Sequence, residues 1–338
     1  MQPAAPSSVS SLSTARTTLP GTAERPDFSG IWVPLVTPFL DDAAQGVDHA
    51  GLARLVRHLA RGGVAGLVVC GTTGEAAALS HAEQQAVLAT VRATLTDRAV
   101  APVHEPVRVV MGVSGVTPAE VIARLADFQS LCTADAATGH AAIAGFLVPA
   151  PTYVRPSQAG LADFFRRVAD AAPAPLIVYD IPARTGVRIH TDTLLALAGH
   201  PAIVAVKDCA GDEAHTHAVI ADGRLQLLAG DDARIFSTLC LGGAGAIAAS
   251  AHVRPELFVA LQALVDRGEL AAARRLWRAL WPLTQQLFGE PNPAPVKAAL
   301  AHTLGLGASL RAPMTAATPA CAAQLLATLQ ALPDHTTV

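Results

Sequence analysis

Two residue types that carry out nucleophilic and acid–base chemistry are rare in this chain of 338 residues. Lysine occurs only at positions 207 and 297, and tyrosine only at positions 153 and 179. Tyr179 and Lys207 each end a short apolar run, as the carboxyl end of a buried strand would. In a dry pocket the pKa of a lysine is lowered, and the neutral amine can attack a carbonyl group to form a Schiff base. A lysine that points into water fits the position of Lys207 equally well. Because the chain otherwise uses arginine for positive charge, we favour the nucleophile.

A glycine-rich segment, Gly-Thr-Thr-Gly-Glu at 71–75, follows another apolar run. Its glycines let backbone N–H groups approach an anion, and the hydroxyls of Thr72 and Thr73 face the same place. A plain glycine turn would give the same pattern. No Gly-Lys-Ser/Thr follows, so the segment is not a nucleotide-binding loop. Arg184, in a loop after Tyr179, could present its guanidinium to a carboxylate, although a surface arginine is the alternative.

Other polar clusters are weaker candidates. His215 and His217 form a His-x-His pair, but the sequence offers no third ligand nearby, so we do not predict a metal site there. Asp231 and Asp232 are interpreted as caps of the following helix. The five cysteines are odd in number and lack Cys-x-x-Cys spacing, which indicates reduced thiols and no zinc site.

The elements that must position these residues follow one repeated unit, a short apolar run and then an apolar stripe at helical spacing. Eight such runs occur, each apolar on both faces as buried parallel strands must be. They lie at 31–36, 64–70, 107–113, 143–149, 175–180, 202–207, 225–229 and 245–249. Eight β-then-α units predict an α/β protein, a (β/α)8 TIM barrel, whose active site lies at the carboxyl ends of the strands.

Composition and charge exclude several classes of protein. The chain is 51% hydrophobic with a net charge of −3, and its basic residues are scattered, so neither disorder nor nucleic-acid binding is expected. No apolar stretch approaches the length of a membrane span. We predict a flexible tail over 1–28, a catalytic barrel over 29–268 and a helical region over 269–338. The tail lacks the apolar segment of a secretory signal, so a cytoplasmic protein is expected.

Together these residues resemble one family, the class I aldolases that include dihydrodipicolinate synthase and N-acetylneuraminate lyase. The resemblance runs from Gly30 to about Thr315. Besides segment 71–75, it rests on Tyr-Asp-Ile-Pro at 179–182, Arg-Thr-Gly at 184–186, Val-Lys-Asp at 206–208, Gly-Asp-Asp at 230–232, Glu-Pro-Asn-Pro-Ala-Pro-Val-Lys at 290–297 and Leu-Arg-Ala-Pro-Met-Thr at 310–315. Arg184 and the two C-terminal segments look most like the dihydrodipicolinate synthase branch.

The resemblance implies the catalytic roles. Lys207 forms the Schiff base with pyruvate, and Tyr179 passes protons that are relayed through Thr73 to Tyr153. In the family the tyrosine that matches Tyr153 comes from a neighbouring subunit, which implies a tight dimer within a homotetramer. No metal and no organic cofactor are implied.

The resemblance also implies the substrate contacts. Thr72, Thr73 and the adjacent N–H groups hold the pyruvate carboxylate, and Arg184 holds the carboxylate of the second substrate, L-aspartate 4-semialdehyde. Gly186 and the carbonyl of Ile247 line the site. The implied reaction condenses the two substrates to 4-hydroxy-tetrahydrodipicolinate on the diaminopimelate route to lysine.

Two other functions stay open from the sequence. One is a related aldolase or dehydratase of another 2-oxo or sugar acid, such as an enzyme like N-acetylneuraminate lyase, and the other is a non-catalytic ligand-binding barrel. Lysine-inhibited members of the family carry a tyrosine, an asparagine and a histidine where this chain has Thr152, Val116 and Gln84, although His81 is retained. We therefore predict weak or no inhibition by lysine.

Overall fold

Eight parallel strands form a closed barrel in which each strand pairs with the next and the last with the first. The computed structural model of the chain describes residues 25–97, 106–133 and 142–333. The strands are β1 Gly30–Pro34, β2 Gly66–Val69, β3 Arg108–Gly112, β4 Ile143–Pro149, β5 Leu176–Asp180, β6 Ile203–Asp208, β7 Gln226–Ala229 and β8 Gly245–Ile247. Each lies within or beside one of the eight predicted runs, so the TIM barrel is confirmed.

Helices alternate with the strands and continue beyond them. In chain order they are α1 His49–Arg61, α2 His81–Thr96, α3 Pro118–Ala126, α4 Gln158–Ala171, α5 Pro182–Thr185, α6 Thr191–Leu197, α7 Glu213–Asp222, α8 Ile235–Cys240, α9 Pro255–Asp266, α10 Leu270–Leu287, α11 Ala294–Leu304 and α12 Pro319–Ala331. Among the residues described, no helix combines the length and the hydropathy needed to cross a bilayer.

Several helices begin at a side chain that caps their first turn. Asp48 accepts a hydrogen bond from the Gly51 N–H and begins α1. Ser80 and Glu83 form a capping box at α2, in which each side chain bonds the other residue's N–H group. Such caps satisfy backbone donors that have no partner within the helix.

Two aromatic side chains fill the amino-terminal end of the barrel interior. Trp32 is fully buried and donates its indole N–H to the Phe28 carbonyl at 2.7 Å, and the two rings lie 5.5 Å apart. A Cβ at Gly66 would lie 2.1 Å from the Trp32 ring, so only glycine leaves room for it. Phe28 is 1% exposed, and its N–H donates to Gln226.

The predicted flexible tail over 1–28 is therefore wrong at Phe28, which belongs to the barrel core. Burial of a large aromatic side chain outweighs the entropy of ordering the chain that carries it. The rest of the prediction up to residue 24 lies outside the described residues.

The C-terminal helices pack on one another and on the barrel. Helix α12 contacts both α10 and α11, and α9 packs on α10. The turn between α10 and α11 carries Asn292, and α11 carries Lys297. Both side chains reach the segment after β2, so this helical region contributes directly to the carboxyl end of the barrel.

Candidate active site

Tyr179 and Lys207 lie side by side at the carboxyl ends of β5 and β6, where they are partners in the strand register. Each is 5% exposed, and the Lys207 ammonium nitrogen lies 4.3 Å from the centre of the Tyr179 ring. Side chains alternate along a strand, so both residues point into the barrel together. The structure thus brings together the amine and the phenol that the sequence singled out.

The charge state of this pair differs from the sequence prediction. Burial by itself lowers the pKa of Lys207, but attraction to Tyr179, Cys209 and Asp232 outweighs it, and the pKa of Lys207 is raised. The predicted lowering is wrong, because acidic groups share the pocket. Burial raises the pKa of Tyr179 as well, although the nearby Lys207 charge opposes that shift. The resting amine is therefore protonated and must pass on a proton before it can attack a carbonyl.

Asp232 is the buried carboxylate next to this pair, and sequence reasoning interpreted it only as a helix cap. Its oxygens accept hydrogen bonds from the Ser250 N–H at 2.6 Å and the Ala249 N–H at 3.3 Å. Burial raises the pKa of Asp232 to about 6, which still leaves it largely ionised at neutral pH. Asp231 does act as a cap, because its side chain accepts a bond from the Ala233 N–H. The position after β7 in a barrel was the signal that could have identified Asp232.

Gly230 leaves space for the stem of the lysine. A Cβ at this position would lie 2.7 Å from Lys207 Cγ and 2.5 Å from the Cys209 sulfur. Any side chain at 230 would therefore displace Lys207 from its place above Tyr179.

The segment after β2 forms a tight turn over Thr72–Gly74 and ends at Glu75 in the left-handed conformation, with φ of 54°. Thr72 is exposed, whereas Thr73 is buried and its hydroxyl oxygen accepts a hydrogen bond from the Asn292 side-chain amide at 3.0 Å. The Thr37 hydroxyl donates to the Gly74 carbonyl at 2.8 Å. The turn is therefore held in place from both sides.

A buried ion pair anchors this turn, and sequence reasoning missed it. Lys297 is 1% exposed, and its ammonium nitrogen lies 2.5 Å from a carboxylate oxygen of Glu75. The same ammonium donates to the Ser309 carbonyl at 2.9 Å and lies over the Phe39 ring. The Arg311 N–H donates to the second oxygen of Glu75. Lys297 therefore positions the turn through Glu75.

The remaining predicted residues differ in how far they are buried. Arg184 is exposed in α5, which Gly186 ends in the left-handed conformation with φ of 74°. Ile247 is buried at the end of β8 among the residues of the barrel interior. Tyr153 is 93% exposed and has a φ of 72°, so its ring projects away from the surface of the single chain.

A cavity of about 980 Å³ opens at this end of the barrel. Of the predicted site residues, Thr72, Tyr179 and Arg184 line its wall. Lys207 and Thr73 are buried next to that wall, and Tyr153, Gly186 and Ile247 are not part of it. The cavity extends to His81, Gln84, Val116 and Thr152. A single chain thus brings together Lys207, Tyr179 and the turn at 71–75, but its own Tyr153 lies outside this cavity.

His215 is placed differently from the prediction. It is buried beside Asp180 and Asp208, and one possible ligand atom of each residue lies within 4.8 Å of the other two. Two carboxylates, on β5 and β6, therefore lie beside His215, while His217 is exposed. Sequence reasoning did not connect them with His215, and the absence of a metal site there stays a prediction.

Comparisons with known proteins point to one family. The model of the dihydrodipicolinate synthetase family matches residues 27–332. A protein of Streptomyces coelicolor named 4-hydroxy-tetrahydrodipicolinate synthase 1 is 39% identical over 295 residues, which cover 87% of this chain and 90% of that protein. The 4-hydroxy-tetrahydrodipicolinate synthase of Sorangium cellulosum is 37% identical over 309 residues, covering 90% of this chain and 96% of that protein.

Solved structures show the same likeness. A chloride-inhibited dihydrodipicolinate synthase from Acinetobacter baumannii, complexed with pyruvate, superposes with a TM-score of 0.81 and 30% identity over 90% of this chain and 98% of that one. The dihydrodipicolinate synthase from Aquifex aeolicus gives a TM-score of 0.79 and 30% identity over 90% of this chain and 97% of that one.

Proposed function

The chain belongs to the dihydrodipicolinate synthetase family, and from this premise we propose that it condenses pyruvate with L-aspartate 4-semialdehyde to 4-hydroxy-tetrahydrodipicolinate. The reaction is that of a class I, aldolase-type lyase on the diaminopimelate route to lysine. The observation that carries the proposal is the pairing of Lys207 with Tyr179 at the carboxyl end of the barrel, beside the turn at 71–75.

Lys207 supplies the nucleophile. Its ammonium first gives up a proton, and the neutral nitrogen then bonds to C2 of pyruvate while the carbonyl oxygen takes a proton. Loss of that oxygen as water leaves the imine, and loss of a proton from C3 gives the enamine that attacks the aldehyde carbon of the second substrate. Tyr179 stays protonated at neutral pH because burial raises its pKa, so its phenol can protonate the departing oxygen.

Thr73 is proposed as the proton relay, although it is the Thr72 side chain that hydrogen-bonds Tyr179. The Thr73 hydroxyl oxygen accepts a hydrogen bond from the Asn292 side-chain amide, which leaves the hydroxyl hydrogen free to be donated onward. Thr72 and the N–H groups of the turn hold the pyruvate carboxylate, and Arg184 on the cavity wall binds the carboxylate of the semialdehyde. Gly186 and the Ile247 carbonyl are proposed to lie next to the bound substrates.

Replacing Arg184 with alanine tests the second substrate. Loss of a charged hydrogen-bond donor should raise KM for L-aspartate 4-semialdehyde by about 10- to 100-fold, with a much smaller change in KM for pyruvate. Steady-state kinetics with each substrate varied in turn measures both values. Arg184→Lys keeps the positive charge but loses the two parallel N–H donors of the guanidinium. Its KM for the semialdehyde should lie between those of the wild type and Arg184→Ala. Equal increases of KM for both substrates would show that Arg184 does not bind the semialdehyde carboxylate. A higher activity of the wild type with a sugar aldehyde would instead favour an aldolase of another 2-oxo or sugar acid.

Tyr153 is proposed to act in the site of a neighbouring subunit, within a tight dimer of a homotetramer. Its 93% exposure and its absence from the cavity wall of its own chain support this role. The backbone of Tyr153 is held at a positive φ, a conformation that costs energy for a tyrosine and that a binding contact would offset.

Mixing two inactive variants tests this arrangement. In a dimer of Tyr153→Phe and Lys207→Arg chains, one site receives both intact residues if Tyr153 crosses the interface, and the other receives neither. Refolding the variants together in equal amounts should therefore restore roughly a quarter of wild-type activity, since half of the dimers are mixed. If Tyr153 served its own chain, no site would be complete and the mixture would stay as inactive as its parts.

We further propose that catalysis needs no metal and no organic cofactor, because the lysine imine itself stabilises the developing carbanion. A cytoplasmic location accords with five cysteines that form no disulfide in the structure.

A further inference from the structure

A second polar cluster lies on the outer side of the strands that carry Tyr179 and Lys207. Asp180 and Asp208 directly follow those two residues and are partners in the same register. Because side chains alternate, the carboxylates point out of the barrel toward the helices. His215 on α7 joins them, and one donor atom from each of the three lies within 4.8 Å of the others.

Two atoms of this cluster are buried without a hydrogen-bond partner among the described residues. They are Asp180 Oδ2 and His215 Nε2, on side chains that are 0% and 2% exposed. The other ring nitrogen of His215 lies 2.8 Å from the Thr191 hydroxyl oxygen. A histidine that ligates a metal commonly bonds through its second nitrogen in this way, which leaves the first aimed at the ion.

Among the described residues, no salt bridge reaches the carboxylates of the cluster. Asp208 accepts hydrogen bonds from the Ala210 N–H and the Thr216 hydroxyl, but neither donor carries charge. The charge of Arg188 acts on Asp180 and His215, but its guanidinium is hydrogen-bonded to Asp212 at 2.9 Å. Burial raises the pKa of Asp180 to about 7, and the Asp208 carboxylate adds to that rise. Two buried carboxylates with an orphaned imidazole form a donor set that a dication would complete.

We propose that Asp180, Asp208 and His215 form a binding site for a divalent transition-metal ion, with Mn²⁺ or Zn²⁺ as the class that carboxylate and imidazole ligands suit. The ion has a structural role and takes no part in the condensation. It ties the ends of β5 and β6 to α7 and so fixes the strand positions from which Tyr179 and Lys207 reach the pocket. The site does not depend on the proposed reaction.

Titration of the full-length, chelator-treated protein with Mn²⁺ tests this site. Electron paramagnetic resonance of free and bound Mn²⁺ should show one ion per chain, and the spin-echo signal of the bound ion should carry modulation from an imidazole nitrogen. At a hundredfold excess over Kd, the midpoint of thermal unfolding should rise by about 4 °C, because the ion binds only the folded chain.

The ligand variants separate this site from adventitious binding. His215→Gln and Asp180→Asn should weaken Mn²⁺ binding at least about tenfold, because each removes one of three ligands. His217→Gln is the matched control, since His217 is exposed two residues farther along α7, and it should bind as the wild type does. Absence of Mn²⁺ and Zn²⁺ binding to the wild type at millimolar concentration would overturn the proposal. Equal weakening by His217→Gln, or bound Mn²⁺ without nitrogen modulation, would also do so.

Discussion

Lys207→Arg should lower kcat by roughly 10³-fold or more, because the guanidinium stays charged and cannot form an imine. The substitution keeps the positive charge next to Asp232 and Tyr179, so the fold should tolerate it better than it would a neutral residue. The rate of 4-hydroxy-tetrahydrodipicolinate formation, followed in a coupled assay, gives the loss of kcat directly.

Thermal unfolding of the variant provides the control, since a midpoint near that of the wild type would show that the loss is chemical. Retention of more than about a tenth of wild-type kcat would show that Lys207 is not the nucleophile.

Lys297→Met should destabilise the protein by about 3–5 kcal/mol, because it leaves the Glu75 carboxylate buried and unpaired. Both side chains are almost fully buried, so water screens the pair very little. Since Glu75 ends the turn that we propose holds the pyruvate carboxylate, KM for pyruvate should rise as well. Denaturant unfolding followed by fluorescence measures the free energy of unfolding.

The double variant Glu75→Gln with Lys297→Met separates the charge from the packing. Removing both charges should recover a large part of the stability, because no buried ion is left without a partner. If the single variant lost less than about 1 kcal/mol, the ion pair would not anchor the turn.

The barrel could be predicted from the sequence because its strands and many of its helix starts depend on local patterns of residues. Each strand lies in a short apolar run that is almost entirely buried, and half of the helices described begin at a side-chain cap that can be recognised on its own, such as Asp48 or Ser80. Phe28 escaped prediction because one aromatic residue at the end of a polar tail has no periodicity. Its burial depends on Trp32 and on the space that Gly66 leaves.

The site could be predicted only where a residue occupies a strand end. Tyr179 and Lys207 met that condition, whereas Lys297 and Asn292 reach the turn from 219 or more residues away in the chain. Asp180 and His215 are brought together in the same way. The raised pKa of Lys207 also depends on groups that other segments bring to it, first Tyr179 on β5 and then Cys209 and Asp232, so a rule about isolated dry pockets gave the wrong direction.

Borohydride reduction of the full-length protein in the presence of pyruvate tests the central claim most directly. Reduction fixes an imine as a stable secondary amine, and peptide mass spectrometry then locates it. The chain has only two lysines, so the assignment is a choice between Lys207 and Lys297. The account predicts a reduced pyruvate adduct on Lys207 and none on Lys297, whose ammonium is paired with Glu75. Absence of an adduct, or an adduct on Lys297 alone, would contradict it.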